Sequence, residues 1–166
     1  MLSTQEKTSF LRKVSAFEEL TDEQLCTLAE ICNERSFSQG DKIFRQGDIG
    51  GVLHIVVSGK VTIERELQQQ SNKVSIMQVE PYDYLGEMSL FYDAPRSVAA
   101  AAMEDTITLE MENDHFMEII RHDPDLLMEF CRVLSVRLCE AYDKIAEANM
   151  DKKPRELHKL YDKLDF

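Results

Sequence analysis

Positive charge is scarce in this chain. Nineteen lysines and arginines stand against 31 aspartates and glutamates, a formal net charge of −12 over 166 residues. So acidic a surface repels nucleic-acid phosphates and anionic lipid, which weighs against direct DNA binding and membrane attachment. No apolar run approaches the roughly 18 residues of a membrane span. The opening residues, MLSTQEKTSF, carry neither the charged start nor the apolar stretch of a signal peptide. These absences predict a cytoplasmic protein. Cys26, Cys32, Cys131 and Cys139 form no C-x-x-C pair, so no zinc or iron–sulfur centre is expected. All four fall in helix-like apolar patterns and read as small buried hydrophobes; disulfides are not expected in that compartment. Serine, histidine and aspartate occur, but in no nucleophile–base arrangement. No catalytic residue, metal or cofactor is therefore assigned.

What is present is enough to fold. Hydrophobic residues make up 43% of the chain, which supports one core with a helical appendage. Residues 1–33 read as helix: Thr21 with Gln24 fits a capping box, and Leu25, Leu28, Ala29 and Cys32 follow at helical spacing. Residues 34–112 read as short strands. Gly40-Asp41 and Gly47-Asp48 mark turns around the strand from Lys42 to Arg45. Val52 to Val57 and Val61 to Glu66 flank Ser58-Gly59-Lys60 with a hairpin signature. Val74, Ile76 and Val79 belong to another strand, and Ala99 to Met103 is expected to pair with Thr106 to Met111 across Glu104-Asp105. About eight short strands suggest a sandwich or barrel.

Residues 113–149 return to helix. Asn113 or Asp114 can cap a short helix ending near His122; Asp123 can cap the next, with Pro124 at its first position. Leu127, Cys131, Leu134, Leu138, Ala141, Ile145 and Ala148 then form a heptad seam. Residues 150–166 are a charged tail containing Pro154.

The stretch Leu85-Gly86-Glu87-Met88-Ser89-Leu90-Phe91-Tyr92-Asp93-Ala94-Pro95-Arg96-Ser97 interrupts the strand pattern. Gly86 permits a tight turn or close approach to a ligand. A helical turn after it would present backbone N–H groups to an anion. The Arg96 guanidinium can hold a phosphate with two parallel hydrogen bonds, and the Glu87 carboxylate can accept from a sugar hydroxyl. Taken alone, Glu87 and Arg96 fit a surface salt bridge equally well.

The series Gly40, Gly47-Asp48, Ser58-Gly59-Lys60-Val61, Gly86-Glu87 and Pro95-Arg96-Ser97 resembles the cyclic nucleotide-binding domain family. That family includes the regulatory subunits of cAMP-dependent protein kinase, cyclic-nucleotide-gated channels and the bacterial catabolite activator protein. The resemblance covers about residues 10–148 and is most specific where G-E-[aliphatic]-[small]-L precedes P-R-[small]. It implies an α+β fold: an eight-stranded antiparallel β-roll, jelly-roll-like, with helices at both ends and a phosphate-binding cassette at 85–98. The resemblance further implies that Arg96 pairs with the cyclic phosphate and Glu87 with the ribose 2′-hydroxyl. Backbone N–H groups of Gly86, Glu87 and Ser97, with the Ser97 hydroxyl, would surround the same site. Met88 and Ser89 join the ligand-binding set as cassette residues, with Met88 and Leu90 pointing into the barrel. Val74 and Ile76 would wall the base. Leu85, His54 and Val98 depart from the family's usual Phe, Tyr or Phe, and Ala; His54 reads as a packing residue.

The implied function is a non-catalytic sensor. It binds cAMP first and cGMP second, and relays occupancy through the last helix to a partner protein or to its own dimer. The bacterial regulators add a helix-turn-helix domain of about 70 residues. The 18 residues from Asn149 to Phe166 are too few for one, so no direct DNA contact is expected. The alternative is a dimerisation or protein-interaction module on a degenerate fold that binds no ligand.

Overall fold

The computed structural model describes residues 1–66, 73–91 and 95–149. Two capping boxes start the chain. Ser3 caps α1 (Thr4–Leu11) with Glu6, and Thr21 caps α2 (Asp22–Ile31) with Gln24. In each, side chain and backbone N–H groups of the first turn satisfy one another. The strands follow: β1 (Asn33–Phe37), β2 (Lys42–Phe44), β3 (Val52–Ser58), β4 (Val61–Glu66), β5 (Lys73–Val79) and β6 (Tyr84–Leu85). A single helical turn, α3 (Met88–Phe91), precedes β7 (Ala99–Ala102) and β8 (Thr106–Glu112). Helices α4 (Asn113–His122) and α5 (Pro124–Asn149) end the described chain.

The strands form two antiparallel four-stranded sheets, ordered β1-β8-β3-β6 and β2-β7-β4-β5. This is the expected β-roll, but two pairings differ from the sequence reading. Ser58-Gly59-Lys60 does not close a hairpin: β3 pairs with β6 and β8, whereas β4 pairs with β5 and β7. Nor do β7 and β8 pair with each other. Instead the chain runs 52–64 and 99–112 lie antiparallel, and both bend from one sheet to the other at the same place. There Gly59 takes a φ of 88°, Met103 N–H donates to the Lys60 carbonyl at 2.7 Å, and Thr106 Oγ1 donates to the same carbonyl at 3.4 Å. A short turn sequence marks a change of direction equally well whether the chain reverses within a sheet or crosses to another.

The bend places a cluster between the sheets: Phe44, Val56, Val61, Ile63, Val79, Leu85 and Ala100. Alternation along β3 and β8 buries Leu53, Ile55, Leu109 and Met111 on the opposite face. There α3 and α4 pack against β3 and β8, and α2 packs against α4. Burying both faces explains why β3 reads as a continuous apolar run.

The chain divides into two compact units, Met1–Glu129 and Phe130–Phe166. The helical junction before the second is capped from Asp123, whose Oδ1 accepts from Leu126 N–H at 3.1 Å. In the second unit Phe130 is buried, while Cys131, Leu138, Ala141, Tyr142 and Ile145 are exposed. The expectation of four buried cysteines is corrected. Only Cys32 is buried; Cys26, Cys131 and Cys139 are exposed. Cys26 and Cys139 sit off their helices' buried stripes, a distinction that apolar composition alone does not reveal. The charged tail, 150–166, lies outside the described residues.

Candidate functional site

Gly86 ends β6 with a φ of 87°, a left-handed conformation that glycine adopts without a Cβ penalty. Its turn aims the Gly86 carbonyl at Arg96, whose Nη1 donates to it at 3.2 Å. Nη2 donates to the Val52 carbonyl at 2.7 Å. The guanidinium carbon lies 4.2 Å from the centroid of the Phe44 ring, a cation–π distance. Backbone bonds fix the segment from below: Arg96 N–H donates to the Asp48 carbonyl and Gly47 N–H to the Arg96 carbonyl, both at 2.8 Å. Pro95 forms an isolated bridge with Ile49. The turn at Gly47-Asp48 and the cassette are thus clamped together.

Arg96 is only 8% exposed. The guanidinium is thus enclosed in the roll rather than displayed on the surface. Burial lowers its pKa, and the negative charges of Glu87 and Asp48 oppose that shift. Glu87 is half-buried and close enough for its charge to act on the guanidinium. The structure therefore brings Gly86, Glu87 and Arg96 together: the Gly86 carbonyl accepts from the buried fork, and the Glu87 charge acts on it.

Other expected site residues are placed differently. Ser97 is exposed beside Arg96. Met88 does not point into the roll; it is 65% exposed. In α3 it is Phe91, itself 38% exposed, that reaches the helices, its ring edge-on to Phe116 at 5.9 Å. The side chains of Ser89 and Leu90 lie outside the described residues. Val74 and Ile76 stand on β5, 46% and 52% exposed. Ile76 is the extra residue of a bulge, since Ile63 faces Met77 and Glu64 faces Ser75.

Sequence reasoning missed Phe44 as the platform under Arg96 and the Val52 carbonyl as its acceptor. Both depend on which strands meet in space, for which the local sequence holds no signal. It also missed Met77, which faces the interior residue Ile63 and is half exposed.

His54 lies behind the platform. It is buried, its ring tilted against Phe44 at 5.8 Å and edge-on to Phe37 at 6.4 Å. Burial, then the positive charges of Arg96 and Arg35, push its pKa down to about 3. The ring is neutral at pH 7, so its Nδ1, 3.5 Å from Glu110 Oε1, makes no ion pair and lacks a hydrogen-bond partner. Burial pushes the Glu110 carboxyl up. His54 is the packing residue the sequence suggested.

Among the described residues no three His, Cys, Asp or Glu side chains gather as a metal site. Among them, too, no helix is long and apolar enough to cross a membrane.

Comparison with known proteins gives the same assignment as the geometry. The family model of the cyclic nucleotide-binding domain matches residues 34–123. The chain is 34% identical over 126 residues to the cyclic AMP receptor protein of Thermus thermophilus, covering 75% of this chain and 57% of that protein. It is 38% identical over 101 residues to a cGMP-dependent protein kinase of Plasmodium berghei, covering 61% of this chain and 11% of the kinase. The crystal structure of the Thermus thermophilus catabolite activator protein superimposes with a TM-score of 0.72 at 30% identity, over 81% of this chain and 62% of that one. The chain thus spans less than two thirds of the length of each. Residues 34–123, which hold both sheets, the cassette and the buried arginine, place the protein in the cyclic nucleotide-binding domain family.

Proposed function

We propose that the chain is a non-catalytic cytoplasmic sensor. It binds a cyclic nucleotide, cAMP or cGMP, and relays occupancy through α5 to a second copy or a partner protein. The observation that carries this reading is the Arg96 guanidinium, held inside the roll on the carbonyls of Gly86 and Val52. Both of these acceptors are backbone carbonyls. A cyclic phosphate is anionic and presents two oxygens in the geometry of the fork, so it competes favourably for the same N–H groups. Glu87 takes the ribose 2′-hydroxyl, Gly86, Ser89 and Ser97 line the phosphate, and Val74 and Ile76 flank the base.

Exchange of acceptors also supplies the switch. When Arg96 turns to phosphate, Gly86 loses a bond that ties the start of α3 to the roll. The cassette then has two arrangements whose balance the ligand shifts, as signal relay requires. For output, Leu138 and Ile145 stand seven residues apart and exposed on α5, with Cys131 seven before Leu138. A two-fold helix pair would cover that stripe.

Thermal unfolding tests the reading. A ligand that binds only the folded state stabilises by about 2.7 kcal/mol at a hundred times its Kd. Either cyclic nucleotide should raise Tm, 5′-AMP should not, and 2′-deoxy-cAMP should act more weakly. A Tm indifferent to both nucleotides would favour the degenerate dimerisation module.

A further inference from the structure

A line of rings joins Arg96 to Arg35 on β1. The Arg96 guanidinium stands 4.2 Å from the centroid of Phe44, and the Phe44 ring 5.8 Å from that of His54. The His54 ring lies 6.4 Å from that of Phe37, and the Arg35 guanidinium 6.0 Å over the Phe37 ring. A phenyl or phenol ring at position 54 would complete the same line without a group that titrates below neutral pH. The imidazole adds one, between two positive charges that both act on it.

The ring also meets a carboxylate. His54 stands opposite Glu110 in the pairing of β3 with β8. Its Nδ1, buried and without a hydrogen-bond partner, lies 3.5 Å from Glu110 Oε1. A neutral ring that offers Nδ1 as an acceptor gains nothing from an ionised carboxylate, which is also an acceptor. One proton between them, on either atom, turns the contact into a hydrogen bond, so the two groups titrate as a pair. Burial of Glu110 and the nearby charge of Glu112 favour that proton. Arg35, 3.8 Å from Glu110 Oε1, opposes it, and so does Arg96, one ring away. The other neighbours, Phe37 on β1, Phe44 on β2, Leu85 on β6 and Thr108 on β8, carry no charge.

We propose that the His54–Glu110 pair takes up a proton from solvent when a cyclic nucleotide binds, so that acidity and nucleotide reinforce each other at this sensor. The inference rests on the cyclic-nucleotide reading of the cassette. A cyclic phosphate is a diester and keeps its single negative charge as pH falls. Set on Arg96, it offsets the positive charge that opposes the shared proton, and salt screens little of that field inside the roll. Coupling is reciprocal: if the nucleotide promotes protonation, protonation tightens nucleotide binding by the same factor. Affinity therefore rises as pH falls from about 7 towards 5, and levels off where the pair is protonated with and without ligand.

Calorimetric titration of cAMP and cGMP at about pH 5.5, in two buffers of different ionisation enthalpy, counts the protons taken up with each nucleotide. The wild type should take up roughly 0.3–0.5 proton per nucleotide, which corresponds to an affinity gain of about two- to three-fold per pH unit. His54→Phe keeps the line of rings but not the nitrogen, and Glu110→Gln keeps the shape but not the charge. Each should lose most of the uptake. A purely structural role for either residue would move affinity and leave the proton count as it is. Urea unfolding identifies the folded variants; if one does not fold, the other and the wild-type count still decide. No uptake by the wild type, release of protons, or undiminished uptake in either folded variant would overturn the proposal. A wild type that binds neither nucleotide would overturn the cassette reading itself, a result distinguishable from binding without proton uptake.

Discussion

Gly86→Ala tests whether the cassette turn is built around Arg96. At φ 87° an added Cβ meets Arg96 Nη1 at 2.5 Å, the Val52 carbonyl oxygen at 2.8 Å and Arg96 Cζ at 3.3 Å. Two costs add. The left-handed backbone is unfavourable for alanine by about 1–2 kcal/mol. The guanidinium must also retreat, losing its bond to the Gly86 carbonyl, and hydrogen bonds to charged groups contribute about 1.5–3 kcal/mol. The total is about 2.5–5 kcal/mol. Gly40 provides the control: its φ is 89°, but a Cβ there meets nothing within 4 Å. Gly40→Ala should therefore cost only the backbone share, about 1–2 kcal/mol. Urea unfolding of both variants reads the difference, and thermal scans should place Gly86→Ala several degrees below Gly40→Ala. Cyclic-nucleotide affinity should fall sharply in Gly86→Ala and stay near wild type in Gly40→Ala. Equal destabilisation at the two glycines would refute the packing of Arg96 against this turn.

Three further outcomes are expected. Glu87→Gln should weaken cAMP more than 2′-deoxy-cAMP in parallel titrations, because only the ribose form uses the carboxylate; equal losses would remove Glu87 from that role. Sedimentation of the wild type at tens of micromolar should show a dimer, and Leu138→Glu, at a position 54% exposed on α5, should give a monomer; a monomeric wild type would end the helix-pair proposal. The His54 pKa is depressed from 6.5 to about 3, so the unfolded chain binds the extra proton first as pH falls below 6.5. Stability from this group is thus present above that pH. It is lost on acidification towards pH 3, by roughly 1.4 kcal/mol per unit at most. Glu110, raised by burial, acts in the opposite direction and blunts the slope. His54→Phe should flatten the stability profile between pH 6.5 and 4, measured by urea unfolding; an unchanged profile would mean that the ring is not held neutral.

Much of the fold was legible because the signals were local. The Thr21–Gln24 capping box, the Asp123-Pro124 helix start and the cassette's glycine each depend on chemistry within a few residues. The strand runs were legible for the same reason. Their partners were not: Ser58-Gly59-Lys60 and Glu104-Asp105 both look like hairpin turns, yet they pack on each other as crossings between sheets. The two-residue strand β6 was missed because Tyr84-Leu85 is too short to display a period. At the site, Gly86, Glu87 and Arg96 could be named from sequence. Phe44 and the Val52 carbonyl could not, since they reach Arg96 only after both ribbons bend. The inward direction expected for Met88 was not legible, because an apolar residue in a single helical turn carries no periodicity to show which way it faces; the side chain is 65% exposed.

The central claim is that Arg96 is the anchor for a cyclic phosphate. Titration of cAMP and cGMP into the wild type and Arg96→Ala, followed by calorimetry, tests it most directly. The variant also gives up its contacts with Val52, Gly86 and Phe44, so it should unfold about 1–3 kcal/mol more easily while remaining folded at 25 °C. The wild type should bind at least one of the nucleotides saturably, one per chain, and Arg96→Ala should weaken that binding at least ten-fold, as expected when a charge-assisted bidentate contact is lost. Wild-type affinity retained in a folded Arg96→Ala protein, or no heat of binding from either nucleotide in the wild type, would contradict the account.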